Sequence, residues 1–161
     1  MKAVVVYYSL TGNTALVARM IGKALGADMI RLKPEKEIPD SGARKYILGG
    51  KSAIFNEKPR LSNLNLSLDG YDTLILGTPV WAGRFAPPVN TFLSEYMIKD
   101  KNVYLFATHS PGTATEQCFA TMKEKLSRNI IRGTAEFDGV NKMSAKELDD
   151  KVRKFCRTMS D

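Results

Sequence analysis

The chain has 161 residues, 43% of them apolar and 25% charged, and this length and composition predict one folded domain over residues 1–161. The apolar fraction argues against a disordered chain, and the longest strongly apolar run, residues 3–8, is far shorter than the roughly 18 residues of a membrane span. We therefore expect a cytoplasmic protein that does not associate with membranes.

Lysine and arginine exceed aspartate and glutamate by 24 to 17, which gives a net charge of +7. The basic residues are scattered singly or in pairs, without a run of four and without the interleaved aromatic residues of a nucleic-acid surface. We therefore expect no nucleic-acid partner, and we interpret the positive charge as a field that attracts acidic proteins.

Two cysteines, Cys118 and Cys156, and one histidine, His109, limit the chemistry that side chains can supply. Each cysteine falls on the apolar side of a helical pattern and neither belongs to a C-x-x-C pair, which predicts buried reduced thiols without a disulfide. A single histidine argues against a zinc site and against a serine–histidine–aspartate triad. We expect no bound metal.

The first third of the chain begins with the alternation of a strand and a helix. Residues 2–8 are almost all apolar, as in a strand that helices cover on both faces. A polar turn at residues 9–13 and a helix with apolar residues at helical spacing follow, and Gly26 is the predicted end of that helix. Residues 28–33 are the second predicted strand.

A long connection of weak pattern then runs over residues 34–68, in which we predict one irregular helix at residues 43–56. Connections of this length are uncommon in folded domains unless they cover a site or meet a partner. Asp69 and Gly70 predict a turn, and residues 73–78 are the third predicted strand.

The rest of the chain repeats the alternation. A loop is predicted at residues 79–88, with a helix that begins at Pro87 or Pro88. Residues 102–108 and 130–137 are the fourth and fifth predicted strands. Two predicted capping boxes begin the last two helices, Thr113 with Glu116 and Ser144 with Glu147.

Five strands that alternate with helices predict an α/β protein with three layers, a doubly wound parallel sheet between two layers of helices. Right-handed crossovers then give the strand order 2-1-3-4-5. In such sheets ligands bind at the carboxyl ends of the strands, beside the switch point between strands one and three. The loops at residues 9–14, 78–83 and 108–112 meet there.

The first of these loops lies between a strand and a helix and contains hydroxyl and amide side chains with one glycine. Unpaired backbone N–H groups and the positive end of a helix dipole make such a helix start an anion site. The loop contains no lysine, which favours holding a phosphate over transferring one. The alternative is that Asn13 simply caps the helix.

The second loop holds the only tryptophan, Trp81, outside any apolar period. A large aromatic side chain in a loop is suited to stacking on a flat heteroaromatic ring. Gly83 gives the backbone beside it access to conformations that other residues avoid. The alternative is that Trp81 only covers the end of the sheet.

These residues resemble a known family. The run Ser9, Leu10, Thr11, Gly12, Asn13 and Thr14 resembles the phosphate-binding signature of flavodoxins. The run Thr78, Pro79, Val80, Trp81, Ala82 and Gly83, with Pro87 and Pro88, resembles the flavin-ring loop of small flavodoxin-like proteins of bacteria and archaea. The resemblance covers the whole chain.

The resemblance implies a domain that binds flavin mononucleotide (FMN). The first loop would bind the phosphate, the second would flank the flavin ring, and Thr108, His109, Ser110 and Gly112 would meet the other side of the ring. Many flavodoxins carry a ring-stacking tyrosine in this third loop, and here none occurs between Thr108 and Thr115. His109 either takes that place or has no role.

The resemblance leaves three functions open. The first is a low-potential one-electron carrier that works with redox partner proteins, which the basic surface predicts to be acidic, as a monomer or a weak dimer. The second is an FMN-dependent NAD(P)H:quinone-type reductase, in which the connection at residues 34–68 would form a wall of a substrate pocket. The third is a scaffold without flavin.

Overall fold

A computed structural model describes residues 1–38, 57–63 and 65–159 of the chain. The helix predicted at residues 43–56 lies outside the described residues. The elements in chain order are β1 (Ala3–Tyr7), α1 (Asn13–Leu25), β2 (Asp28–Arg31), β3 (Thr73–Trp81), β4 (Arg84–Phe85), α2 (Pro87–Glu95), β5 (Asn102–His109), α3 (Glu116–Lys125), β6 (Ile130–Asp138), a 3-10 helix (Val140–Lys142) and α4 (Ala145–Arg157).

Five strands pair in parallel in the order β2-β1-β3-β5-β6. This is the predicted order 2-1-3-4-5, and the predicted α/β fold with a doubly wound parallel sheet is confirmed. The strand β4 is an addition, because it pairs only with the end of β3, in the antiparallel sense. After β2 the next strand is added on the other side of β1, so the switch point of the sheet lies between β1 and β3, whose carboxyl ends lie at the same edge.

Helices cover both faces of the sheet, because alternate strand residues point to opposite faces. On one face Val4, Leu74 and Leu105 pack among residues of α2 and α3. On the other face Val5 and Ile75 pack among residues of α1 and α4. All five side chains have no exposed surface. Among the described residues no helix is long and apolar enough to cross a lipid bilayer.

The close packing of β3 against a side chain of β5 requires a glycine at position 77. Gly77 of β3 lies against the ring of Phe106 on β5, and a Cβ at Gly77 would overlap that ring. Phe106 is fully buried and makes an edge-to-face contact with Phe137 of β6, with ring centroids 6.2 Å apart. The glycine therefore leaves the space that an interior aromatic pair occupies.

The helix ends match the sequence predictions in two cases. Gly26 caps the end of α1 in the left-handed conformation, with a φ of 61°. Ser144 and Glu147 form the predicted capping box of α4, in which the Glu147 backbone N–H donates to the Ser144 hydroxyl and the Ser144 backbone N–H donates to the Glu147 carboxylate.

The capping box predicted for Thr113 and Glu116 is wrong. The helix α3 begins at Glu116, its N-cap is Thr115, two residues after the predicted cap, and no side chain caps it. Glu116 instead accepts a hydrogen bond from the Thr115 backbone N–H at 3.1 Å. The Thr115 hydroxyl donates to Glu136 on β6, which takes this side chain away from the helix end.

The loop predicted at residues 79–88 is also corrected, since most of it is a hairpin. Strand β3 continues to Trp81, the chain turns through two residues, and β4 returns along it. Ala82 and Gly83 both have positive φ, 50° and 74°. Positive φ at both central residues is the pattern of a type I′ turn, whose twist suits a hairpin. The helix begins at Pro87, as predicted.

Candidate functional site

A cavity of about 540 Å³ opens at the carboxyl edge of the sheet, where the three predicted loops meet. Its volume lies within the range of pockets that enclose one small ligand. The lining residues are Leu10, Thr11, Asn13, Thr14, Pro79, Val80, Trp81, Ala82, Thr108, His109, Ser110, Thr113 and Asn141. The structure thus brings the three loops together around one space.

The first loop opens the cavity at the start of α1. Gly12 is the N-cap, with a φ of 100°, and no side chain caps the helix. The first helical hydrogen bond runs from the Leu16 N–H to the Gly12 carbonyl, so the preceding N–H groups of Asn13, Thr14 and Ala15 have no partner within the helix. Asn13 is therefore a first-turn residue and not the cap that the alternative interpretation required.

Ser9 serves the loop and does not line the cavity. Its side chain is buried, and its hydroxyl oxygen accepts a hydrogen bond from the Gly12 N–H at 3.2 Å. Its carbonyl accepts a hydrogen bond from the Arg31 guanidinium at 2.8 Å. Ser9 thereby holds the turn that leaves the start of α1 open, and its predicted contact with a ligand stays a prediction.

The second loop places Trp81 in the cavity wall, and the ring of Trp81 contacts that of Tyr8, the residue after β1. The two rings meet edge to face, with centroids 5.7 Å apart and planes at 85°. Tyr8 is fully buried, and its hydroxyl donates to Glu37 at 2.9 Å. Burial first, and then the charge and hydrogen bond of Glu37, raise the pKa of Tyr8 far above its ordinary value, so the phenol stays protonated.

Thr78, predicted as a site residue, braces the hairpin. Its hydroxyl donates to the Pro79 carbonyl at 2.9 Å and accepts from the Ala86 N–H at 3.0 Å, and the residue is fully buried. Gly83 and Gly112 likewise lie outside the lining and supply left-handed backbone beside it, with φ of 74° and 80°. These residues shape the loops that carry the lining.

The third loop is joined to the first in the interior. The hydroxyl oxygens of Thr14 and Thr108 lie 2.7 Å apart, and both side chains are buried. His109 follows, with 5% of its side chain exposed, and its Nδ1 lies 2.9 Å from the Ser110 carbonyl oxygen. Its Nε2 lies 3.4 Å from a carboxylate oxygen of Glu136.

Helix α3, which follows the third loop, holds the buried thiol of Cys118. Burial, with the nearby charge of Glu136, raises the pKa of Cys118 to about 12. Burial also raises the pKa of Cys156. Both cysteines are free and buried, as the sequence predicts, and Cys118 is held in the unreactive thiol form.

Two lining residues, Thr113 and Asn141, were missed by the sequence interpretation. Asn141 lies in the 3-10 helix that follows β6, the neighbour of β5 in the sheet. The rule that identified three loops, the carboxyl ends of adjacent parallel strands, applies equally to β6 and would have found it. Thr113 follows the third loop by one residue beyond its predicted end.

The lining contains no aspartate, glutamate, lysine or arginine in the part of the chain that the structure describes. Hydroxyl and amide groups and the open helix start supply its polar contacts, and Trp81, Val80 and Leu10 supply apolar surface. An anionic group would thus be bound by neutral donors at a helix N-terminus. A flat apolar ring would lie against the indole.

Known proteins resemble this chain in sequence and in fold. The sequence model described as Flavodoxin matches residues 2–154, while no curated protein matches the chain. A flavoprotein from Lactobacillus acidophilus in complex with FMN has 22% identity and a TM-score of 0.72, over 93% of this chain and 97% of the other. Oxidised Flavodoxin 2 from Bacillus cereus has 15% identity and a TM-score of 0.66, over 99% and 98% of the two chains.

Proposed function

The chain belongs to the flavodoxin family, and we propose that it binds FMN in the cavity and carries single electrons between partner proteins. FMN supplies the redox chemistry when bound, because its ring can take up and release electrons one at a time. The protein supplies binding, orientation and electrostatics. The observation that carries the proposal is the uncapped start of α1, which opens on the same cavity as Trp81.

The residues of the cavity fit a phosphate at one end. The N–H groups at the start of α1 lack helical partners, and the side chains of Thr11 and Asn13 lie in the lining beside them. Backbone N–H groups and hydroxyls at a helix N-terminus bind phosphate without a charged side chain. We assign the phosphate to this end, with Thr14 held in place by Thr108.

The residues at the other end fit a flavin ring. Trp81, Val80, Pro79 and Ala82 line that wall from the hairpin, and His109 and Ser110 line it from the third loop. The edge-to-face contact with Tyr8 limits how far the indole of Trp81 can turn, and so it keeps a face of the indole available for stacking. We assign the ring to the space between the hairpin and the third loop.

The described part of the long connection supports a carrier over a reductase. A reductase needs a pocket for a second substrate beside the flavin, and the connection was the candidate to form its wall. None of the described connection residues, 34–38, 57–63 and 65–68, lines the cavity. Its Glu37 instead accepts a hydrogen bond from the hydroxyl of Tyr8, and neither residue lines the cavity.

The net charge of +7 supports an acidic redox partner. Opposite charges increase the rate at which proteins associate, and salt screens them over about 8 Å at physiological ionic strength. We therefore propose a carrier, a monomer or a weak dimer of the cytoplasm, whose association with acidic partners slows as salt is raised. Sedimentation and stopped-flow measurements over a salt series test these points.

One pair of titrations tests the proposed function. The FMN-loaded protein is reduced anaerobically, once with dithionite and once with NADPH. A carrier takes up dithionite electrons in two separated one-electron stages and does not oxidise NADPH. Rapid NADPH oxidation in the presence of a quinone would establish the reductase instead. A protein that stays colourless with added FMN would contradict both.

A further inference from the structure

The rings of Tyr8 and Trp81 connect two cavities of the molecule. Trp81 lines the cavity at the carboxyl edge of the sheet, whereas Tyr8 lines a second cavity of about 90 Å³, and among the described residues the two linings share none. The rings meet edge to face, with their centroids 5.7 Å apart and their planes at 85°. Because the rings are in direct contact, an electron can pass between them without an intermediate group.

The phenol of Tyr8 is buried and holds its proton. Only 1% of the residue is exposed, and its hydroxyl donates to Oε2 of Glu37 at 2.9 Å. Burial first, and then the charge and the hydrogen bond of Glu37, raise the pKa of Tyr8, whereas the charge of Arg31 lowers it. At neutral pH Tyr8 therefore keeps its O–H bond, and this bond is directed at a carboxylate.

The hydrogen bond to Glu37 decides whether Tyr8 can give up an electron. Removal of an electron alone would leave a positive charge on a buried ring, and a buried charge without a partner is costly. Transfer of the phenol proton to Glu37 in the same event removes that charge. Glu37 is exposed, so it can pass the proton on to water. Tyr8 thus has the proton acceptor that an electron donor in a buried site requires.

We propose that Tyr8 reduces Trp81 after Trp81 has lost one electron, and that Glu37 accepts the proton that Tyr8 releases. One electron passes from the phenol of Tyr8 to the oxidised indole, the O–H bond of Tyr8 breaks, and the proton bonds to Oε2 of Glu37. The indole is reduced to its neutral form, and Tyr8 is oxidised to a neutral phenoxyl radical. The positive charge of the oxidised indole and the negative charge of the carboxylate disappear together, so the step creates no buried charge.

A photoexcited flavin in the cavity is the oxidant to which Trp81 loses its electron, and this identification rests on the proposed function. Trp81 lies in the wall to which the flavin ring is assigned, and flavins take up single electrons. Tyr8 then restores the indole against which the ring would lie. The electron and the proton later return to Tyr8 from the ligand and from Glu37, so the cycle consumes no further reagent. Tyr8 is therefore a donor that protects the wall of the cavity in light.

The first experiment needs no flavin, and its probe is the azide radical, a one-electron oxidant that prefers tryptophan to tyrosine. Trp81 is the only tryptophan, so pulse radiolysis of the apoprotein in azide solution forms an indole radical only there. We expect the absorbance of the indole radical to decay and that of a tyrosyl radical to grow at the same first-order rate, independent of protein concentration. Heavy water should slow both changes, because a proton moves with the electron.

Two variants separate the electron donor from the proton acceptor. Tyr8→Phe keeps the ring contact and removes the O–H bond, so the tyrosyl signal should be lost and the indole radical should persist. Glu37→Gln alters an exposed side chain and removes the base, and the transfer should slow by at least about tenfold, which corresponds to a barrier about 1.4 kcal/mol higher. A tyrosyl radical that forms at the same rate in Tyr8→Phe would overturn the proposal. An unchanged rate in Glu37→Gln would overturn the assignment of the proton to Glu37.

Tyr71→Phe is the matched control. Tyr71 also donates to a carboxylate, that of Asp28 at 2.7 Å, but its ring lies against Lys2 and not against Trp81. We therefore expect this variant to transfer the electron at the wild-type rate. A rate that fell as much as in Tyr8→Phe would mean that the ring contact does not select the donor, which would also overturn the proposal.

The second experiment illuminates the FMN-loaded protein in air and follows oxygenated Trp81 by mass spectrometry of its peptide. Oxygenated Trp81 should accumulate faster in Tyr8→Phe than in the wild type and in Tyr71→Phe, and equal rates in all three would overturn the protective role. Electron transfer from Tyr8 in an apoprotein that binds no FMN would support the pair and contradict the proposed function. A protein that binds FMN but shows no such transfer would contradict the pair alone.

Discussion

The hydroxyl groups of Thr14 and Thr108 form one buried hydrogen bond, 2.7 Å long, between the first turn of α1 and the end of β5. Replacing one threonine with valine keeps the shape but leaves the other hydroxyl buried without this partner. We expect Thr14→Val and Thr108→Val each to lower the free energy of unfolding by about 1–3 kcal/mol. Urea unfolding of the apoprotein measures this.

The double variant is the control for that bond. When both hydroxyls are replaced, no unpaired group remains, and the cost should be clearly smaller than the sum of the two single changes. Additive costs would mean that the two hydroxyls do not depend on each other.

The contact between Gly77 and Phe106 predicts a strong effect of one methyl group. In Gly77→Ala the new Cβ overlaps the buried ring, so neighbouring strands must move, and we expect a loss of about 1–3 kcal/mol of stability. The matched control is Gly133→Ala in β6, where the nearest atom to the new Cβ is Cδ1 of Tyr104 at 3.4 Å. Thermal unfolding should separate the two variants, and equal melting temperatures would contradict the packing argument.

The assignment of the phosphate to the start of α1 predicts a selective loss of affinity. Thr11→Val and Asn13→Ala should each weaken FMN binding by about 10–100-fold, the value of a hydrogen bond to a charged group. Riboflavin has the same ring without the phosphate, and its affinity should not change. Quenching of Trp81 fluorescence gives both constants, because Trp81 is the only tryptophan.

Thr113→Val is the control for this assignment. It removes a hydroxyl from another part of the lining, and it should affect FMN and riboflavin equally. If Thr11→Val and Asn13→Ala also weakened riboflavin by the same factor, the phosphate would have to lie elsewhere.

The capping box of α4 predicts a pH dependence of stability. The backbone N–H and the hydroxyl of Ser144 hold the pKa of Glu147 below its ordinary value of 4.5. The ionised carboxylate is therefore favoured by folding, and its contribution is present above that value and is lost as the pH falls through the lowered pKa. Urea midpoints from about pH 6 to about pH 3 should fall less steeply in Glu147→Gln than in the wild type.

Ser144→Ala offers an independent check on the same effect. It removes the hydroxyl partner and leaves Glu147 in place, so it should also reduce the pH dependence. An unchanged slope in both variants would contradict the role of the capping box.

The turn between β3 and β4 contains Ala82 with a φ of 50°, a conformation that costs an alanine about 1–2 kcal/mol. Asparagine tolerates this region better, and Asn-Gly is the preferred pair for a type I′ turn. We expect Ala82→Asn to stabilise the apoprotein by about 0.5–1 kcal/mol and Ala82→Val to destabilise it. Urea unfolding that ranked the two variants in the opposite order would contradict this description of the turn.

The sequence was sufficient to predict the parallel strands, because buried strands and helices differ in apolar period, and right-handed crossovers then predicted their order. It was not sufficient for the hairpin, since Ala82 replaces the asparagine or aspartate that identifies such a turn and Pro79 argues against a strand. Pro79 lies in β3 opposite Thr108 of β5, close to the point where the chain leaves the main sheet and pairs with β4.

The site, like the fold, could be predicted only in part from the sequence. Local patterns identified the loops, but they did not distinguish residues that face the cavity from residues that hold the loop. Ser9 and Thr78 have the hydroxyls that a ligand would need, yet each is hydrogen-bonded to the backbone of its own loop. The Ser9 hydroxyl accepts from the Gly12 N–H, and the Thr78 hydroxyl donates to the Pro79 carbonyl. The position of Glu136 beside His109 depends on the register of β5 and β6, which a single sequence does not specify.

The walls of the cavity come from parts of the chain that are far apart in sequence, and the Thr14–Thr108 bond spans 94 positions. None of these parts can form the cavity unless the sheet has assembled, so a bound ligand recognises only the complete fold. Ligand present at one hundred times its dissociation constant would shift the folding equilibrium by about 2.7 kcal/mol toward the native state. The cofactor would thus protect the polypeptide against thermal denaturation and proteolysis, and its departure would expose the chain to both.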